Sequence, residues 1–168
     1  MIYLKEANAG DAEKEYQFLK DTPTYENGFE NKYYDFSYKD FMNQALPQMI
    51  KFSKGIGLPE GYVPETFYFL WDDNNIVGLF KLRHYLTGFL RNGVGHIGYG
   101  IHKDYRGKGY ATKGLGLAIE KAKDVIKENE IYLSVHIDNP VSLKVQLNNN
   151  AYIHHSDEIE YYTRIIIW

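Results

Sequence analysis

Gly95-His96-Ile97-Gly98-Tyr99-Gly100-Ile101-His102-Lys103-Asp104-Tyr105-Arg106-Gly107-Lys108-Gly109-Tyr110-Ala111-Thr112-Lys113-Gly114-Leu115 is the stretch whose reading decides the fold. Its first half alternates. Ile97, Tyr99 and Ile101 share one face and His96, Gly98 and Gly100 the other, which is the two-residue period of a strand. The chain then turns at Arg106-Gly107-Lys108-Gly109. Beyond the turn, Ala111, Leu115, Ala118, Ile119, Ala122 and Ile126 recur at the spacing of one helical face. The order is therefore strand, basic glycine loop, helix. The first turn of a helix presents unpaired N–H groups and the positive end of the helix dipole. Glycines allow a ligand close to that backbone, and Arg106 and Lys108 add full charges. Such a loop is built for an anion, and its size points to a pyrophosphate.

Working outward, Ile2 to Lys5 reads as a short edge strand, and Ala9 to Lys20 as a helix stopped by Thr22-Pro23. Thr24 to Phe36 is polar and aromatic without a clean period, a loop or a loose helix. Asp40 to Phe52 has helical spacing, with a kink expected at Pro47. Gly55 to Pro64 is irregular. Glu65 to Trp71 and Ile76 to Tyr85 read as strands joined by a hairpin turn at Asp72-Asp73-Asn74-Asn75. Thr87 to Asn92 is a loop. The helix of the deciding stretch should end near Lys127 to Asn129. After it come a strand over Glu130 to Ile137, a short helix over Val141 to Leu147, and two closing strands, Tyr152 to His155 and Glu160 to Trp168. The pattern predicts one domain over residues 1–168 of mixed α/β class, a mostly antiparallel sheet flanked by helices.

Bulk properties narrow the function. The chain has 168 residues with 44% hydrophobic and 24% charged content, the composition of a globular core. A net charge of −3 excludes a nucleic-acid binder that relies on a basic footprint. With no cysteine there is no disulfide framework and no thiolate zinc site, and a cytoplasmic setting is the expectation. Met1 to Asn8 has no apolar signal region, and no membrane partner is expected. The 16 tyrosines fit packing at element edges, or a contact surface.

Arg106-Gly107-Lys108-Gly109-Tyr110-Ala111 resembles the Arg/Gln-x-x-Gly-x-Gly/Ala signature of the GNAT superfamily of acetyl-CoA-dependent N-acetyltransferases. The strand before it and the helix after it are in the family's order. Asn139-Pro140-Val141-Ser142, after the next strand, resembles the start of the family's following helix. The resemblance covers roughly residues 65 to 152. It implies a central twisted sheet splayed at the acetyl-CoA site, with acetyl-CoA as cosubstrate and a small-molecule or peptide amine as acceptor. A homodimer is a candidate assembly. It also implies contacts to the cosubstrate from the backbones of Tyr99 and Ile101, from Arg106, Gly107, Lys108, Gly109, Tyr110, Ala111 and Thr112, and from Asn139 and Ser142. The alternative from another class is a non-catalytic acyl-CoA-binding sensor.

The chemistry sets one demand. An amine with a lysine-like pKa of about 10.4 must be neutral to attack, which costs about 4.6 kcal/mol at pH 7. His96 lies ten residues before Arg106, where many family members carry a strand glutamate acting through water. An imidazole titrating near 6.5 suits that role, and a structural histidine bonded across strands is the other reading. Many members place a tyrosine seven residues after the motif asparagine to protonate the thiolate. That position here is Gln146, which is no acid, so Tyr152 or water is expected instead. The acceptor mouth is expected beside aromatics of Thr24 to Phe36 and the Tyr85 to Arg91 loop.

Other patterns resolve against chemistry. Gly93-Val94-Gly95-His96-Ile97-Gly98 is a literal dinucleotide fingerprint, but it continues into strand alternation instead of opening a helix. Gly109 and Gly114 have phosphate-loop spacing, yet Leu115 stands where lysine is needed. Gly98 and Gly100 mark either a bulge, a tightly packed helix, or backbone left open to a ligand. Asn139 can cap a helix with Pro140 at its first position. The remaining histidines lack ligand spacing, and no metal is expected.

Overall fold

The computed structural model describes residues 1–168. In chain order they form β1 (Ile2–Glu6), α1 (Ala12–Asp21), a small hairpin of β2 (Tyr25–Glu26) and β3 (Phe29–Glu30), and α2 (Tyr38–Asp40). A π-helical turn (Phe41–Ala45) leads into α3 (Leu46–Ser53), followed by β4 (Glu65–Asp72), β5 (Asn75–Arg83) and the single turn α4 (Gly88–Arg91). Then come β6 (Ile97–Ile101), α5 (Tyr110–Val125), β7 (Glu130–His136), α6 (Pro140–Leu147), β8 (Tyr152–Ser156) and β9 (Glu160–Ile166).

Two antiparallel sheets result, ordered β1-β4-β5-β6 and β7-β9-β8. Each face of the first sheet has its own apolar core. On one face, Leu115, Ala118, Ile119 and Ala122 of α5 pack on Leu70, Phe80 and Leu82, and the cluster continues to Ile131, Leu133 and Ile165 of the second sheet. Gly114 lets α5 approach closely, because a Cβ there would strike the Phe80 ring and Leu70. On the opposite face, Phe18 and Leu19 of α1 and Phe41, Ala45, Leu46 and Met49 cover Phe67, Phe69 and Leu79. Full burial of each such Leu, Ile, Phe or Met side chain contributes about 1.5–3 kcal/mol. The two faces are thus distinct, and the site described below uses both.

Three expectations are corrected locally. The segment 24–36 contains a hairpin, because Asn27 (φ 51°) and Gly28 (φ 82°) both take the left-handed conformation a two-residue hairpin turn requires. The Asn-Gly pair was the signal for it. The helix over 40–52 is broken by a π turn instead of a proline kink: the Leu46 N–H bonds back to the Phe41 carbonyl, five residues away. The backbone stays helical through Ala45 and Leu46, so Pro47 lies within a continuous helical run, directly after the π turn where the regular bonding pattern gives way. Thr87 to Asn92 holds one helical turn, with the Leu90 N–H donating to Thr87 Oγ1 at 3.3 Å.

Candidate active site

The two sheets meet at one point and then part. Gly95 bridges to Leu133, and the His96 N–H donates to the Tyr132 carbonyl at 2.7 Å. No strand pairing joins β6 to β7 beyond that. On the other edge of β6, the Arg83 N–H donates to the His96 carbonyl at 2.8 Å and the His102 N–H to Val77 at 2.9 Å. Backbone groups alternate in direction along an antiparallel pair. Those of Ile97, Tyr99 and Ile101 therefore point away from β5 into the gap. The open backbone expected at Gly98 and Gly100 thus belongs to the alternate residues: Gly98 and Gly100 are in phase with the bonds to β5, while Tyr99 and Ile101 face the gap because no strand continues beside them.

A cleft of about 960 Å³ occupies the gap. Tyr99, Ile101, Arg106, Gly107, Gly109, Tyr110, Ala111, Thr112, Asn139 and Ser142 all line it, as does the hairpin through Glu26, Asn27 and Phe29. At its foot Gly107 (φ 74°) and Gly109 (φ 82°) take left-handed conformations. The N–H groups of Gly107 to Thr112 have no backbone acceptor, the first bond of α5 running from the Lys113 N–H to the Gly109 carbonyl at 3.1 Å. Six donors at a helix start form a cradle for an anion. Across the cleft, Asn139 caps α6 by accepting the Ser142 N–H at 3.1 Å, and its amide Nδ2 lies 3.4 Å from the Asn27 carbonyl.

The charges are arranged differently from the sequence expectation. Arg106 donates through Nε to the Ile101 carbonyl at 3.0 Å, and its guanidinium pairs with Glu26 of the hairpin. Lys108 does not line the cleft: its Nζ donates to the Asp104 carbonyl at 3.2 Å and lies 5.5 Å over the Tyr105 ring. Glu26 was not singled out from the sequence, where nothing marks a carboxylate 80 residues away as the arginine's partner.

His96 was expected to face substrate beside Gly98 and Gly100. The structure instead buries it completely. Its Nδ1 accepts the Tyr132 N–H at 2.9 Å, and its Nε2 stands 3.2 Å from Glu128 Oε2. Burial, aided by Arg91, Arg83 and Arg164, lowers its pKa to about 3. A neutral imidazole has one acceptor nitrogen, and here the Tyr132 amide occupies it. Nothing is left to take a proton from an amine.

Tyr152 is also displaced from the cleft. It lies on β8, which β9 separates from β7; its hydroxyl donates to Glu130 and the side chain is 40% exposed. The helix α6 does not lead into the neighbouring strand, which is why proximity in sequence misleads. Gln146 is buried and ties α6 to the second sheet, accepting the Thr163 hydroxyl at 2.7 Å and donating to the Ser134 carbonyl at 3.3 Å. The phenol that does reach α6 belongs to Tyr99. Its oxygen lies 2.8 Å from Ser142 Oγ, and burial raises its pKa.

On the opposite face of the splay, a Cβ on Gly98 would meet nothing within 4 Å, so the sheet is open there. At Gly100 the Phe29 ring covers the backbone, 3.1 Å from where a Cβ would stand. Lys81, the register partner of Gly98, donates to the Glu30 carbonyl at 2.6 Å. Of the 85–91 loop, Arg91 reaches this region by pairing with Glu128 and stacking 4.9 Å from the Tyr132 ring. Tyr85 and Phe89 point to solvent.

A family model described as the GNAT acetyltransferase family matches residues 22–146. A search of curated protein sequences finds no match. Among solved structures, a ribosomal alpha-N-protein acetyltransferase in complex with coenzyme A is 13% identical, with a TM-score of 0.71 over 99% of this chain and 94% of that one. A microcin C7 self-immunity acetyltransferase, in complex with acetyl-CoA and AMP, is 15% identical, with a TM-score of 0.71 over 99% and 92%. Spermidine N-acetyltransferase from Vibrio cholerae, in complex with CoA and spermine, is 15% identical, with a TM-score of 0.64 over 98% and 95%. At such identities the likeness concerns the fold.

Proposed function

The chain belongs to the GNAT acetyltransferase family, and from that premise we propose that it moves the acetyl group of acetyl-CoA to a primary amine by direct attack in a ternary complex. The observation that carries this reading is the continuity between the unpaired edge of β6 and the six free N–H groups at the start of α5. An extended amide-bearing chain ending in a pyrophosphate needs such a track: strand-like backbone for its amides, then a cradle for its charge. The glycines fit that group, since a Cβ at Gly107 or Gly109 would meet nothing and only their backbone conformation demands glycine.

The residues divide the work as follows. Gly107 to Thr112 and Arg106 hold the diphosphate, with Arg106 leaving Glu26. The Tyr99 and Ile101 backbones hold the pantetheine amides and the acyl oxygen, where a fixed N–H stabilises charge developing in the transition state. Asn139 and Ser142 guard the far wall. Tyr99 takes the acid's role: its phenol, beside Ser142 at the head of α6, protonates the departing thiolate. His96 holds the two sheets at the point where they part. The amine arrives from the Gly98 face, where the desolvation that lowers the pKa of the neighbouring Lys81 to about 8 disfavours its ammonium form as well. The amine then loses its proton to water.

Thiol release tests the reading. The protein is mixed with acetyl-CoA and a panel of amines, and free CoA is titrated with a thiol reagent. Release that depends on amine supports transfer. Tight acetyl-CoA binding without release from any amine would make the chain a sensor.

A further inference from the structure

Charges on the acceptor face are unevenly paired. Arg83 pairs with Glu65 at 3.2 Å, and Arg91 pairs with Glu128. Two other cations on that face have no carboxylate partner. Lys81 Nζ has the Glu30 carbonyl and lies over the Phe29 and Phe67 rings at 4.6 and 5.3 Å. Arg164 is only 6% exposed; it donates to the Thr163 carbonyl at 3.0 Å and its guanidinium carbon lies over Tyr132, 3.8 Å from the ring centre.

The register puts these two on one face, on either side of the gap. Lys81 pairs with Gly98 in β6, and Arg164 pairs with Tyr132 in β7. The neighbours Ile97 and Ile131 belong to the core under α5, so Gly98, Lys81, Tyr132 and Arg164 all face the other way. A buried guanidinium without a counter-charge is costly unless a ligand supplies one. Between them Gly98 leaves open space.

We propose that Lys81 and Arg164 form a subsite for an anionic group on the acceptor, so that the substrate is an amine carrying a carboxylate or a phosphate. The proposal rests on the transferase reading above and names its substrate class. It also explains the depressed Lys81 ammonium: burial lowers its pKa to about 8 in the absence of an anion, which is the environment an incoming carboxylate or phosphate would relieve. A polycation finds less reward here, because Glu65 and Glu128 are already held by Arg83 and Arg91, and Glu130 accepts the Tyr152 hydroxyl.

The test compares acceptors in the thiol-release assay: γ-aminobutyrate, L-glutamate and O-phosphoethanolamine against ethanolamine, putrescine and spermidine. The expected result is a kcat/KM at least about tenfold higher for one of the anionic amines than for ethanolamine, the size of a charge-assisted hydrogen bond. The carboxylate and phosphate arms separate the two sources of charge. Lys81→Met and Arg164→Met should erase the preference through KM while calorimetry shows acetyl-CoA binding unchanged, and Arg164→Lys should keep part of it. Faster turnover of spermidine or ethanolamine than of every anionic amine overturns the subsite and leaves the transferase reading intact. So does a preference that survives in both folded variants. Release from no amine, with acetyl-CoA bound, overturns the transferase reading itself.

Discussion

The Nδ1 of His96 accepts the N–H of Tyr132 at 2.9 Å, and this side-chain bond stands in for the His96 carbonyl, which is turned toward Arg83 on the other edge of β6. The imidazole therefore closes the splay at one end and lets it open at the other. Gly95 belongs to the same device, since a Cβ there would strike the Tyr132 carbonyl and its φ is 71°.

The first prediction follows from that burial. With its pKa near 3 when folded and about 6.5 when unfolded, His96 binds more protons in the unfolded chain. Its contribution is complete above pH 6.5 and is lost as pH falls toward 3. His96→Asn keeps an acceptor for the Tyr132 N–H but cannot titrate. Denaturant unfolding at pH 7 and pH 4.5 should show a smaller acid loss in the variant than in the wild type. An equal loss in both would contradict the assignment. The kcat of His96→Asn at pH 7 should stay within about tenfold of wild type, below the range of acid–base catalysis.

Tyr99→Phe should lower kcat by about a hundredfold, the lower range for a proton donor, with acetyl-CoA affinity little changed. Tyr152→Phe should leave kcat unaltered. Steady-state rates with the best acceptor decide it, and the reverse order of effects would return the acid's role to Tyr152.

Glu26 competes for Arg106 in the free protein. Glu26→Gln should tighten acetyl-CoA binding by a few-fold, since an ion pair this exposed contributes about 0.2–1 kcal/mol. Calorimetry showing weaker binding would mean that the carboxylate helps to hold the ligand.

Glu15 gives the opposite pH slope. Its carboxyl is buried, Oε1 accepting the Asn8 N–H at 2.9 Å, and desolvation raises its pKa to about 8. The folded chain binds more protons here, so stability present below pH 4.5 is lost as pH rises through 8. Glu15→Gln should flatten thermal stability between pH 5 and 8; an unchanged slope would place the titration elsewhere.

Much of this architecture was legible because local chemistry and tertiary role coincide. Ile97, Tyr99 and Ile101 alternate, Gly107 and Gly109 break the chain, and Leu115, Ala118 and Ala122 repeat, all within one continuous stretch. The site lost legibility where partners come from afar. Nothing in a strand histidine's spacing shows that the Tyr132 amide will fill its acceptor nitrogen, and Tyr99 reads as core until α6 brings Ser142 to its hydroxyl. The Asn27-Gly28 hairpin was readable, yet its consequence, Glu26 on Arg106 and Phe29 on Gly100, depends on how the folded strap crosses the sheet.

The central claim is that the free N–H groups of Gly107 to Thr112 and the guanidinium of Arg106 hold the diphosphate of acetyl-CoA. Calorimetric titration of acetyl-CoA into the wild type and Arg106→Glu tests it most directly. Saturable binding to the wild type is predicted, with near-complete loss in a variant that stays folded and whose thermal stability falls only by what the Glu26 pair and the Ile101 bond supply. Undiminished affinity in a folded Arg106→Glu protein would contradict it.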